Sequence, residues 1–275
     1  MSFGIFQKDT EMNIRILLTL LILISSNIWA GSQATEQAVI EPERIIKFAK
    51  NVEKYAASNG ARAFIIARVG RPKKDLPEGI NYTHTAIAVY SNIQLSNGAT
   101  VQGYAIHNLY QLDGEADRSK LVIDYPVDFF WGVQELKAGI IIPSKEIQAR
   151  LIALIDNGND AKLHNPNYSV IANPFNNQYQ NCTEHTLNLI NAAIYQTTDM
   201  KRLKAIEKTY FTPQVVKINS FKLALGSMFI DDITTKDHQG EIRTTTFTSI
   251  YRYLEKYQLA TLGVSLNEKQ EVTPL

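Results

Sequence analysis

Residues 181–195, NCTEHTLNLINAAIY, decide the fold. Asn181 is a strong helix N-cap, and Glu184 stands three residues later, where the second partner of a capping box belongs. Leu187, Leu189, Ile190, Ala193 and Ile194 make the helix that follows apolar on most sides, so it is predicted to run through the core. Cys182 then occupies its first turn, where unpaired backbone N–H groups and the helix dipole favour negative charge. A thiol placed there gains thiolate character, and the thiolate is the attacking species in cysteine chemistry. The same N–H groups suit a developing oxyanion.

Cys182 is the only cysteine among 275 residues, so no internal disulfide and no multi-cysteine zinc or iron–sulfur site can form. Hydrophobic residues make up 45%, charged residues 20% and aromatics 9%, which excludes a disordered, collagen-like or coiled-coil chain. The formal charge of +1 lacks the basic excess of a nucleic-acid binder. Arg15 precedes an apolar run, Ile16–Ile24, which gives way to a small residue, Ala30, and a polar stretch. That layout predicts a signal peptide over residues 1–30 and an exported, periplasmic protein with no integral membrane span after cleavage. In an exported protein an unpaired thiol is a liability. Cys182 is therefore either buried and inert, or kept because its sulfur is used.

A thiolate nucleophile needs a base, and five histidines are available, at 84, 107, 164, 185 and 238. Between a predicted helix at 43–58 and the helix at 181 lie several strand-like stretches: 61–69, 82–90, 100–110 and 139–142. A Pro- and Gly-bearing loop with Arg71, Lys73 and Lys74 follows the first, and His84 opens the second. Asn97-Gly98 marks a hairpin between the second and third. With a two-residue turn there, opposed positions sum to 195 and His84 faces Gln111; with a longer loop the sum reaches 191 and His84 faces His107. Both registers place His84, His107 and Gln111 on one face, where a polar neighbour would fix the tautomer of the base. His185, one turn beyond Cys182, is either a competing base or a surface residue. Gln178 joins Gln111 as a candidate for an orienting or oxyanion role. Arg68, Arg71 and Lys73 could hold a substrate carboxylate, and Phe130 and Trp131 could line a cleft. Cys182, His84 and His107 together would form a weak zinc set, so neither metal nor cofactor is expected.

Ser144 caps a helix with Ile147, Leu151, Leu154 and Ile155 on one face, ended by Asn157-Gly158. Further helices are predicted near 200–208 and 247–257, the segment 213–230 is ambiguous, and residues 261–275 read as a polar, frayed tail. Residues 31–260 form one domain.

The order His on a strand, polar residue on the next, then Asn-Cys opening a helix resembles the circularly permuted NlpC-like branch of the papain-like cysteine hydrolases. Those relatives carry an Asn-Cys-Glu-His stretch, and this chain has Asn181-Cys182-Thr183-Glu184-His185. More narrowly, RVGR, LPEGINYTH, YPVDFFWG and NCTEHTLNL, in that order over residues 60–255, resemble the bacterial domain-of-unknown-function family 2145. The resemblance implies an α+β fold in which a small antiparallel sheet packs on the Cys-bearing helix. It also implies Cys182 as nucleophile, His84 as base and His107 as orienting residue. The expected activity is hydrolysis of an amide or ester in a cell-wall peptide or lipid-linked acyl substrate; the rival expectation is a non-catalytic envelope-binding module.

Overall fold

The computed structural model describes residues 38–71, 74, 76–217 and 234–275. The predicted signal peptide, Lys73, and residues 218–230 of the ambiguous segment lie outside the described residues. The fold is a mixed α+β arrangement around a seven-stranded antiparallel sheet with helices against both faces. In chain order come α1 (Pro42–Ser58), β1 (Ala63–Val69), β2 (His84–Gln94), β3 (Thr100–Leu112), β4 (Glu115–Asp124), α2 (Pro126–Phe130) and β5 (Glu135–Pro143). Then follow α3 (Lys145–Asp156), α4 (Asn159–Lys162), α5 (Cys182–Tyr195), α6 (Met200–Tyr210), β6 (Gln214–Val215), β7 (Arg243–Thr244), α7 (Phe247–Lys256), β8 (Ala260–Asn267) and β9 (Val272–Pro274). The sheet order is β4-β3-β2-β1-β5-β8-β9, and β6 and β7 form a separate ribbon. Among the described residues no helix is long and apolar enough to cross a membrane.

β1 is buried along its whole length because both of its faces are covered. Its odd positions, Ile65 and Ala67 among them, join a core with α3, α5 and α7. Its even positions, Phe64 and Ile66, join a second core with α1 and α2. α1 obeys the helical period, burying Ile45, Phe48, Ala49, Val52 and Ala56 behind Pro42 in its first turn. α5 runs through the interior as its composition predicts, buried from Cys182 to Ala193.

Two expectations fail. Residues after 260 are not a frayed tail: β8 pairs with β5 from Ala260 to Asn267, and β9 extends the sheet beyond it. Leu262, Val264 and Leu266 alternate with small or polar residues, and pairing gives that alternation a core face to fill. The β2–β3 hairpin takes neither expected register. Gln94 pairs with Thr100 and Ile87 with His107, so opposed positions sum to 94 + 100 = 194. The loop is five residues, closed by Leu95 N–H to Ala99 O (2.8 Å) and by Gly98 at φ 82°. An even sum in place of an odd one exchanges the faces on which the β3 side chains stand.

Candidate active site

The Cys-bearing helix starts as its cap predicts, since Asn181 Oδ1 accepts the Glu184 N–H at 2.9 Å. The capping box does not close, because Glu184 turns away to α6. Asn181 also donates through Nδ2 to Val170 O (3.0 Å) and Thr244 Oγ1 (3.3 Å). Thr183 Oγ1 lies 2.8 Å from both Asn181 Oδ1 and Thr245 O, its single hydrogen serving one of them. One turn on, Thr186 Oγ1 sits 2.9 Å from Cys182 O and 3.5 Å from Thr85 O. The start of α5 is thereby held to residues 244–245 and, through Thr186, to the backbone of Thr85 on β2. Cys182 packs with Leu109 and Tyr168 and retains 6% of its surface.

His84 is 1% exposed. Its Nε2 is 2.9 Å from Asn108 Oδ1, and its ring stacks on Tyr110 with centroids 4.8 Å apart. Asn108 Nδ2 donates to Ile106 O (3.0 Å) and to Asp124 Oδ2 (3.2 Å), and the Tyr110 hydroxyl donates to the same carboxylate oxygen. Arg68, paired with His84 across β1 and β2, lies over the rings of Tyr110 (5.6 Å) and Phe129 (5.1 Å). Burial, and then the Arg68 charge, push the His84 pKa well below the usual imidazole value, so the ring is neutral at pH 7. Burial raises the Asp124 carboxyl above the usual range and raises the Tyr110 hydroxyl strongly. Tyr110 connects the two halves of the site: it stacks on His84, and its hydroxyl also feels the charge of Cys182. His84 Nδ1 is buried with no hydrogen-bond partner among the described residues.

The third polar residue is therefore Asn108, not His107 or Gln111. Both of those stand on the other face of β3, as the even register sum requires. His107 Nδ1 is 3.7 Å from Asp160 Oδ2 of α4, and Gln111 Nε2 donates to Ala116 O (2.6 Å), bracing the β3–β4 turn. Without His107 the set Cys182, His84 and His107 cannot converge on a metal. Among the described residues no group of three or more His, Cys, Asp or Glu side chains could hold one. His185 is buried, and burial followed by the nearby His164 lowers it to about 4.

The expected substrate residues do not gather either. Arg68 is buried, and its Nη1 donates to Phe129 O, so it belongs to the scaffold beneath His84. Phe130 is a core residue, edge-on to Phe48 and Phe129. Trp131 is half-buried against the same core, and Arg71 is half-buried at the end of β1. Gln178 is exposed, whereas Gln180 is fully buried and ties Asn165 to Leu163. Asn108 and Asp124 were legible as polar residues inside apolar strands; only the register was needed to bring them to His84.

The fold is a mixed α+β arrangement on a seven-stranded antiparallel sheet, with a thiol in the first turn of its buried helix and a buried, neutral imidazole on β2. The chain belongs to the DUF2145 family, described as an uncharacterized protein conserved in bacteria, whose model it matches over residues 55–254. No curated protein and no solved structure matches it.

Proposed function

We propose that this protein is a cysteine-dependent hydrolase of papain-like type, with Cys182 as nucleophile, His84 as base and Asn108 as the residue that orients the base. The observation that carries this reading is the His84 ring. Nε2 is engaged by an amide oxygen at 2.9 Å, Nδ1 is buried with no partner among the described residues, and the ring stacks on Tyr110, whose hydroxyl feels the charge of Cys182. The Cys182 thiol proton would pass to Nδ1 as sulfur attacks the substrate carbonyl. The imidazolium would return that proton to the departing amine or alcohol, and water would cleave the thioester. The leader-like sequence at residues 1–30 supports an exported enzyme acting on a peptide or acyl group of the cell envelope.

A neutral His84 stays a competent base into mildly acidic solution, because its pKa lies below the usual 6.5. Iodoacetamide should accordingly label Cys182 in the native full chain faster than it labels N-acetylcysteine at pH 6. Cys182→Ala should abolish turnover of peptide and ester substrates while leaving the thermal transition in place. Retained turnover in that variant sinks the proposal.

The second reading, a non-catalytic binding module on the same fold, is favoured by the near-complete burial of His84. It expects no labelling of Cys182 until the protein is denatured.

A further inference from the structure

We infer that Asp124 is a positioning residue that fixes which nitrogen of His84 carries the proton, acting through the amide of Asn108. This rests on the proposed nucleophile–base pair and adds a fourth member to it, on a different strand.

The argument is a count of donors and acceptors. The two hydrogens of Asn108 Nδ2 have two acceptors, Ile106 O at 3.0 Å and Asp124 Oδ2 at 3.2 Å. A flipped amide would set its carbonyl oxygen against another carbonyl and a carboxylate, which repel it, so Oδ1 must face His84. An amide oxygen only accepts, and Nε2 at 2.9 Å must therefore be the nitrogen that holds the hydrogen. A neutral imidazole has one N–H, which leaves Nδ1 as a bare lone pair. That agrees with the lack of a partner for Nδ1 among the described residues. Asp124 reaches this position because it lies opposite Ile106 on β4, which places its side chain on the face shared by Asn108 and Tyr110. The same oxygen accepts from the Tyr110 hydroxyl, whose ring is the surface on which His84 stacks. One carboxylate thus governs both the hydrogen-bonding edge of the imidazole and its aromatic platform. Deprotonation of Cys182 needs Nδ1 as acceptor, and a ring of the other tautomer offers a hydrogen where a lone pair is required.

Imidazole nitrogen NMR on the full chain, with His84 assigned by His84→Gln, reads the tautomer without reference to any substrate. The wild type should show the Nε2–H form alone. Asp124→Ala, or Asp124→Ser should the first variant fail to fold, should show the Nδ1–H form as well. Asp124→Asn keeps an acceptor oxygen for both Asn108 and Tyr110 and should restore the wild-type spectrum. Iodoacetamide labelling of Cys182 should slow about tenfold or more in the first two variants and recover in the third, a loss of the size seen when orienting partners are removed. A folded Asp124→Ala or Asp124→Ser protein whose His84 remains purely Nε2–H overturns the inference. If the tautomer responds but wild-type Cys182 is no more reactive than N-acetylcysteine, Asp124 keeps its role and the hydrolase reading fails instead.

Discussion

Two buried polar clusters handle charge in opposite ways. In the first, His84 is kept neutral, and its hydrogen bonds run in one direction, through Asn108 to Asp124. On the side facing α6, Lys204 Nζ is enclosed by Glu184 Oε1 (2.7 Å), Glu207 Oε2 (2.8 Å) and Asn188 Oδ1 (3.0 Å). Asn191 ties Glu207 to the Tyr253 hydroxyl. Desolvation works against the Lys204 ammonium, but the two carboxylates outweigh it and hold the group charged. Burial lifts Glu184 to about 8 despite that ammonium, so at neutral pH one carboxylate balances one cation. The first cluster carries no ammonium and leaves His84 Nδ1 without a partner among the described residues; the second pairs its ammonium with carboxylates, while Glu184 Oε2 and Asn188 Nδ2 lack partners there. Buried polarity in this protein is therefore arranged in two ways, one around a neutral ring and one around a charged pair.

Lys204→Met should separate the two most forcefully. It strands Glu207 without a counter-charge and takes a donor from Glu184, and should cost about 3–5 kcal/mol in urea unfolding. The thiol of the molecules that remain folded should label at the wild-type rate. A loss of Cys182 reactivity in folded Lys204→Met would show that the clusters are coupled.

A smaller effect lies in the pH dependence. Glu184 has a folded pKa of about 8 against an ordinary 4.5, so between those values the native state binds more protons than the unfolded chain. Its contribution to stability is therefore lost as pH rises through that window, at up to about 1.4 kcal/mol per pH unit. His185 acts with the other sign. Its folded value of about 4 lies below 6.5, so stability is lost as pH falls between the two. From pH 6.5 to 8 only the first of these slopes operates. Urea midpoints should fall across that interval in the wild type and stay nearly level in Glu184→Gln, which mimics the protonated carboxyl. A parallel fall in both chains would remove Glu184 as the cause.

The smallest effects should come from the two glutamines that the structure leaves away from His84. Gln111→Ala should lose about 1 kcal/mol, the worth of one hydrogen bond, and Gln178→Ala should stay within about 0.5 kcal/mol. Neither should alter the tautomer of His84.

The cap and apolar run at 181–195 made α5 legible, because both signals are local. The helices at 42–58, 145–156 and 247–256 were readable for the same reason. What failed depended on a single integer. Loop length sets strand register, and an odd, five-residue loop, where both expected sums need an even one, put His107 and Gln111 on the face opposite His84 and brought Asn108 to it. Glu184 looked like a capping partner because nothing near it in sequence announces Lys204, twenty residues on in another helix. Arg68 looked like a substrate anchor because it stands with Arg71 and Lys73 in one basic stretch; the aromatic rings of Tyr110 and Phe129, which cover it, come from distant segments. Cys182 and His84 drew attention in the sequence because each sits at the start of an element, and such positions are marked by local chemistry.

Gly139 carries a consequence for the sulfur. Phe247 occupies the space where a side chain at 139 would begin, its ring 2.4 Å from the place of a β-carbon. Phe247 opens α7, and the two threonines just upstream, Thr244 and Thr245, receive the hydrogen bonds that seat Asn181 and Thr183. The seat of the Cys-bearing helix thus depends on a position on β5 that has no side chain. A side chain at 139 would have to displace Phe247 and, with it, the start of α7, next to the threonines on which Asn181 and Thr183 rest.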